Sequence, residues 1–315
     1  MTNQSPSSEN LFKPNRTLNK LTERVVIAIL GLFAFISIAT TVGIILTLAS
    51  ETWGFFQDVP IWRFLTDTAW TPLFTNPQYG IFVLLCGTFL TSVIAIIVAL
   101  PLGLLSAIYL SEYAPPRLRR WVKPALEVLA GVPTVVFGYF ALLFVTPLLQ
   151  DTIFSLPFTP KLEGFNALSA GGVMGVAITP LVASISEDTI YSVPQDLRQG
   201  AYAMGCTKKE VVTGVVIPAA LSGIVASFIL AISRAVGETM IVTVAAGQSA
   251  TLTLNPLVSV QTMTSFIVQV SLGDAPTGSL AYRTLFAVGS TLFLITLALN
   301  AFSFWFVRKF REQYE

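Results

Sequence analysis

The sequence predicts an all-α integral membrane protein with six transmembrane helices. Three observations predict it. Apolar residues make up 54% of the 315 residues and charged residues only 11%, where a soluble domain usually carries about a quarter charged. Six apolar runs are each long enough to cross a bilayer, which takes about 20 residues. Lysine and arginine collect in the connections on one side, as the positive-inside bias requires. Net charge is +1, which gives no reason to expect a nucleic-acid partner. There is no histidine, so histidine catalysis, ligation and pH sensing are excluded. Cys86 sits in an apolar run and Cys206 in a polar loop. They are expected to stay unpaired, and two cysteines do not make a zinc site.

Residues 1–24 read as a polar cytoplasmic tail with a basic flank of Lys13, Arg16, Lys20 and Arg24. The six-span domain covers 25–307. Its first span is Val25–Ala49, longer than the core of about 7–15 residues in a secretory signal, so an uncleaved span is expected. The connector Glu51–Gln78 holds Trp53, Trp62 and Trp70. Aromatic amphiphiles favour the membrane boundary, and a short interfacial helix is expected, with a carbohydrate-stacking site as the alternative. Tyr79–Leu110 forms the second span. It is too long for one crossing and is expected to kink near Pro101 and Gly103. Pro115-Pro116 ends it, and the basic turn of Arg117, Arg119, Arg120 and Lys123 follows. The third span is expected over Pro124–Leu149, the fourth over Leu168–Ile190 and the fifth over Ala219–Gly247. A polar connection with turns at Asn255-Pro256 and Gly273–Pro276 leads to the sixth span, Thr284–Val307, and a short cytoplasmic tail, 308–315. No internal repeat is evident.

With the N-terminus inside, fourteen of the eighteen lysines and arginines fall on the inner face. Arg63, Lys161 and Arg283 fall outside, and Arg234 lies within a span. Both termini and the polar stretch 193–218 are then cytoplasmic.

That stretch is punctuated like two short helices. Pro194 suits a first helical turn, and Leu197, Ala201 and Met204 share a face. Gly205 is a stop signal. Thr207 and Glu210 have capping-box spacing, and Pro218 is expected to open a third, apolar helix. A docking surface and an ordinary loop both fit this pattern. Arg234 and Glu238 are the costly pair. At i and i+4 they would share a helix face in the fifth span. Such charges normally face a bundle interior or a wet path. A structural ion pair and an oxyanion-path site both remain open. The arginine fork suits phosphate-like oxygens, and Ser233, Thr239 and Thr243 lie near. No G-x-x-x-x-G-K-[ST] is present, so ATP would have to be used by a partner.

The stretch resembles the cytoplasmic loop of ABC importer permeases, whose pattern is E-A-A, three residues, Gly, nine residues, Ile-x-Leu-Pro. Gln199-Gly200-Ala201 stand at the E-A-A positions, Gly205 at the glycine, Val215 at the isoleucine and Ile217-Pro218 at the Leu-Pro. Further segments, DTAWTPLFTNPQYGI, AIYLSEYAPPRLR, GVPTVVFGYFAL, SRAVGETM and QVSLGDAPTGSLAYRTLFAVG, resemble the PstC family of phosphate permease subunits. The resemblance implies a MetI-like, type I importer permease in the bacterial inner membrane. It implies a PstA-type sister permease, a PstB-type ATPase dimer that binds ATP and Mg, and a PstS-type periplasmic phosphate-binding protein. It makes Leu197, Gln199, Gly200, Ala201, Met204 and Gly205 the coupling segment, and ties Arg234 and Glu238 to translocation. It implies no cofactor and no catalytic residue or metal in this chain. Rival readings are a permease for molybdate or sulfate, and a secondary transporter coupling an anion to protons through Glu238.

Overall fold

The computed structural model describes residues 16–154, 160–273 and 275–310. The expected tails at 1–15 and 311–315, with Lys13 and Arg311, lie outside the described residues, as do Pro157 and Asp274. The chain divides into two compact units, one ending at Ser50 and the other beginning at Glu51. Helix α1 (Arg16–Asp58) runs across this boundary. From Val25 to Ser50 it is apolar and exposed almost all round, with Phe33, Phe35 and Ile38 each about two-thirds exposed. A helix apolar on every side needs lipid or other helices around it.

The second unit holds α2 (Ile61–Thr66), α3 (Ile81–Ile108), α4 (Pro116–Ala130), α5 (Thr134–Phe140), α6 (Thr146–Thr152) and α7 (Ala167–Tyr191). After these come α8 (Gln195–Ala203), α9 (Lys208–Val211), α10 (Ile217–Val236), α11 (Met240–Ala245), α12 (Met263–Leu272) and α13 (Leu280–Phe310). Three π turns, Tyr109–Tyr113, Ala141–Val145 and Val212–Val216, extend α3, join α5 to α6, and join α9 to α10. Each is followed within two residues by a proline: Pro115, Pro147 and Pro218. A proline has no N–H to donate and its ring crowds the carbonyl four residues back. The wider turn relieves both.

Among the described residues, six helices are long and apolar enough to cross a membrane: Glu23–Asp58, Ile81–Tyr113, Thr134–Thr152, Ala167–Tyr191, Lys208–Val236 and Leu280–Phe306. The number matches the sequence reading, and several boundaries do not. The third span starts at Thr134, not Pro124. The segment before it is a separate helix, α4, which ends at Gly131 before Pro133. Pro218 does not open a new helix, because the helical run is continuous from Lys208 through the π turn. The fifth span ends at Val236, not Gly247. The connector after it contains α12, where the sequence predicts a polar, partly apolar segment with turns and no helix. Thr262 and Ser265 cap that helix reciprocally.

The core is a close pair, α3 against α7, joined by α10. Glycines let the backbones approach. A Cβ on Gly171 would meet Ile94 at 2.8 Å, and one on Gly175 would meet Val98 at 2.6 Å and the Ala95 carbonyl at 2.7 Å. Gly103 belongs to the same seam, with Val182 2.6 Å from where its Cβ would stand. Membrane helices associate through such small-residue packing. Gly175→Val is therefore expected to cost about 1–3 kcal/mol or more by overpacking. Thermal unfolding of the detergent-purified protein checks this, and an unchanged midpoint would contradict it.

A second cluster surrounds Phe55, Phe64, Trp70, Tyr79 and Phe266, whose rings meet edge to face at 5.1–6.1 Å. Trp70 is buried there. The aromatic connector is thus split. Trp53 and Trp62 stay exposed on α1 and α2, as a membrane boundary requires, while Trp70 packs as core and offers no stacking platform. Cys86 and Cys206 are unpaired.

Candidate functional site

Between Pro194 and Glu210 the polar stretch forms the two short helices that its punctuation predicts, with Pro194 as the N-cap of the first and not in its opening turn. α8 begins after Pro194 and ends in a double-bonded C-cap. Gly205 N–H donates to the Tyr202 carbonyl and Cys206 N–H to the Ala201 carbonyl. Gly205 adopts φ +85°, a left-handed conformation that glycine alone takes without strain. Thr207 then caps α9, its hydroxyl accepting from Glu210 N–H while the Glu210 carboxylate accepts from Thr207 N–H at 2.7 Å. Nearby, Val193, Val211, Val216, Ala220 and Ile224 are buried with Ile190 and Ala107. α8 therefore rests on an apolar base and turns its other side outward. Leu197, Gln199 and Gly200 are exposed, Ala201 is half-buried against the base, and Met204 is 85% exposed. An exposed methionine is an adaptable apolar contact surface, and Leu197 and Tyr202 of the same segment are exposed too.

The charged pair in the fifth span is placed differently from expectation. α10 stops at Val236, and Gly237, Glu238 and Thr239 form a break before α11. Arg234 and Glu238 therefore do not share a continuous helix face. Arg234 lies in the last turn of α10 and is exposed. A cation there is favoured by the helix dipole. Among the described residues it has no ion pair. Glu238 is half-buried and its Oε1 accepts from Ile241 N–H at 3.4 Å, at the start of α11. Thr264 of α12 donates to the Glu238 carbonyl at 2.7 Å, which fixes the break against α12. Ser233 donates to Asn300 of α13 at 3.0 Å. Thr239 and Thr243 bond backbone carbonyls, at Gly237 and Thr239. The site is thus, among the described residues, a guanidinium without an ion pair beside an opened helix, not an i,i+4 pair.

Two ionic groups built on buried side chains escaped the sequence reading. Glu187 is 1% exposed near the end of α7. Its carboxylate pairs with Arg119 and, at 2.7 Å, with Lys123, both of α4. Lys123 also pairs with the exposed Asp188, and the Arg119 guanidinium lies 3.9 Å from the Tyr191 ring centre. Burial pushes the Lys123 ammonium down, but its hydrogen bonds and charge contacts with Asp188 and Glu187 together outweigh this and raise it. A raised lysine contributes fully below its ordinary value and is lost only as pH climbs through the raised one, so α4 stays clamped across neutral pH. The second group is Arg198 of α8 with Glu112 of the π turn after α3. Glu187 lay inside the predicted fourth span and carried the same signal as Arg234, a charge in an apolar run. Arg198 carried none, since an arginine in a polar loop is ordinary.

The family model "Binding-protein-dependent transport system inner membrane component" matches residues 99–312. The chain belongs to this family. It is 35% identical over 269 residues to the "Phosphate transport system permease protein PstC" of Mesorhizobium japonicum, covering 80% of this chain and 78% of that one. It is 32% identical to the PstC of Haemophilus influenzae, covering 90% and 92%, and 30% identical to the "Probable ABC transporter permease protein YqgH" of Bacillus subtilis, covering 92% of each. Among solved structures, an inward-facing MetNI methionine ABC transporter matches with TM-score 0.52 at 19% identity, over 74% of this chain and 95% of that one. A bacterial alginate ABC transporter in complex with alginate pentasaccharide-bound periplasmic protein matches with TM-score 0.64 at 14% identity, over 94% and 98%. These two likenesses bear on the fold, which is that of MetI-like ABC permeases. Six apolar helices and the family together make this a multi-pass inner membrane protein.

Proposed function

We propose that the chain is the permease subunit of an ATP-driven importer that carries inorganic phosphate inward from a periplasmic binding protein. The observation that carries the reading is the similarity to PstC permeases over most of both chains. The geometry supplies what that task needs. α8 and Gly205 present an exposed apolar surface, Leu197 and Met204, on which an ATPase subunit can act. Gln199, Gly200 and Ala201 complete the segment, and no side-chain obstacle surrounds Gly200. Arg234 offers two parallel donors to an oxyanion, and its contact is transient because a tight site would hold the ion. Glu238 keeps the break before α11 in place. Both termini and α8 are cytoplasmic, as the distribution of Lys and Arg argues. A PstS-type protein delivers phosphate on the outer side, a PstA-type subunit completes the path, and a PstB-type ATPase dimer moves α8 so that the permease pair alternates between outward and inward openings.

The test is purification from membranes of the assembled complex, followed by assay of ATP hydrolysis with and without the loaded binding protein. ATPase activity stimulated by phosphate, and not by molybdate or sulfate, is expected. A preparation that never retains an ATPase subunit, yet takes up anion on a proton gradient, would overturn the reading in favour of secondary transport.

A further inference from the structure

The docking surface on α8 faces outward, yet the work must be done on the spans behind it. Arg198 is the one charged residue of α8 that points the other way. Its side chain is 10% exposed, and the Glu112 carboxylate that it pairs with is 7% exposed. Its second terminal nitrogen donates to the Ile190 carbonyl at 2.7 Å. That carbonyl lies in the last turn of α7, outside the regular i to i+4 ladder, and also accepts from Val193 N–H at 3.3 Å. Glu112 stands in the π turn that ends the α3 span. One guanidinium thus ties α8 to the ends of the two helices that form the glycine-seamed core pair. The planar fork makes this possible, since an ammonium has no rigid pair of donors.

We infer that Arg198 is a positioning residue of the transport cycle, the strut through which displacement of α8 reaches α3 and α7 together. This rests on the reading of α8 as the ATPase-docking helix. The apolar base around Val193 and Val216 can slide, because apolar packing is non-directional. The fork cannot slide without breaking two bonds to buried groups, which costs more than it would in water. α8 therefore moves with the α3–α7 pair as one body.

The experiment compares the full complex in proteoliposomes with its Arg198→Met variant and the double variant Arg198→Met, Glu112→Gln. Methionine keeps much of the stem volume and removes the fork. The single variant leaves the Glu112 carboxylate buried and unpaired, while the double variant removes that orphan charge. Three readouts are taken: thermal midpoint, ATP hydrolysis and ATP-driven phosphate uptake. The double variant is expected to recover the thermal midpoint and hydrolyse ATP within about twofold of wild type. Its uptake per ATP stays about tenfold lower, in the range of ordinary coupling energies. Recovery of uptake together with the midpoint would overturn the proposal, since Arg198 would then serve stability alone. Failure of both variants to assemble would overturn it likewise, making Arg198 a folding residue. A wild-type complex without ATP-driven phosphate uptake would instead overturn the proposed function, so the two failures are distinguishable.

Discussion

Arg234→Gln is expected to lower phosphate uptake by about 10- to 100-fold while the complex assembles normally. Arg234 is exposed in the last turn of α10 and, among the described residues, holds no ion pair. Its removal therefore leaves no buried carboxylate uncompensated, and the fold has little reason to notice. What is lost is the charge-assisted contact with a passing anion. Hydrogen bonds to charged groups contribute about 1.5–3 kcal/mol, and each 1.4 kcal/mol is roughly tenfold. Arg234→Lys keeps the charge but not the planar fork, so its uptake is expected between wild type and Arg234→Gln. Glu238→Gln is expected to do less than Arg234→Gln, because Glu238 contacts the backbone of α11 and not the guanidinium. Uptake of labelled phosphate, normalised to assembled complex, checks the series. Full uptake in Arg234→Gln would end the anion-path role.

That site also shows where sequence reading reaches its limit. The cost of a charge in an apolar run draws attention to Arg234, which the structure places exposed in the last turn of α10. The same run hid the helix break, because Met240–Ala245 is as apolar as the residues before Gly237 and the glycine alone reads as a tolerated interruption. The i,i+4 spacing then suggested an ion pair that the break abolishes. Local signals did better. The spacing of Gly205, Thr207 and Glu210 concerns neighbours in sequence, and the caps formed as the spacing indicated. Pro218 was a local signal with a non-local answer: the π turn before it absorbs the proline and keeps the helix whole. Trp70 illustrates the opposite case. Its composition class fits the membrane boundary, and only packing between nearby Phe64 and Phe266, from a distant part of the chain, makes it core. Arg198 and Glu112 are 86 residues apart, and nothing in their own neighbourhoods pairs them.

Glu187→Gln is expected to destabilise the protein by about 2–3 kcal/mol, far more than Asp188→Asn one residue along. Glu187 is 1% exposed and its carboxylate faces both Arg119 and Lys123 of α4. Glutamine has nearly the same shape but no charge, so two cations lose the group that balances them. Breaking a fully buried pair costs roughly 3–5 kcal/mol. The figure here is lower because Arg119 and Lys123 are 25% and 28% exposed and regain some water. Asp188 is 63% exposed, and an exposed pair is worth under about 1 kcal/mol. Two adjacent carboxylates on the same lysine thus have different weights, set by burial and by the second cation, Arg119, that only Glu187 holds. Thermal unfolding in detergent measures both, and hydrogen exchange on α4 shows where the loss falls. Exchange should rise along Pro116–Ala130, because Arg119 and Lys123 are the charged contacts that clamp this otherwise exposed helix to α7. Adding Lys123→Met to Glu187→Gln should recover part of the loss, since it removes a cation left short of its partner. Equal midpoints for Glu187→Gln and Asp188→Asn would show that burial does not set the weight of this cluster.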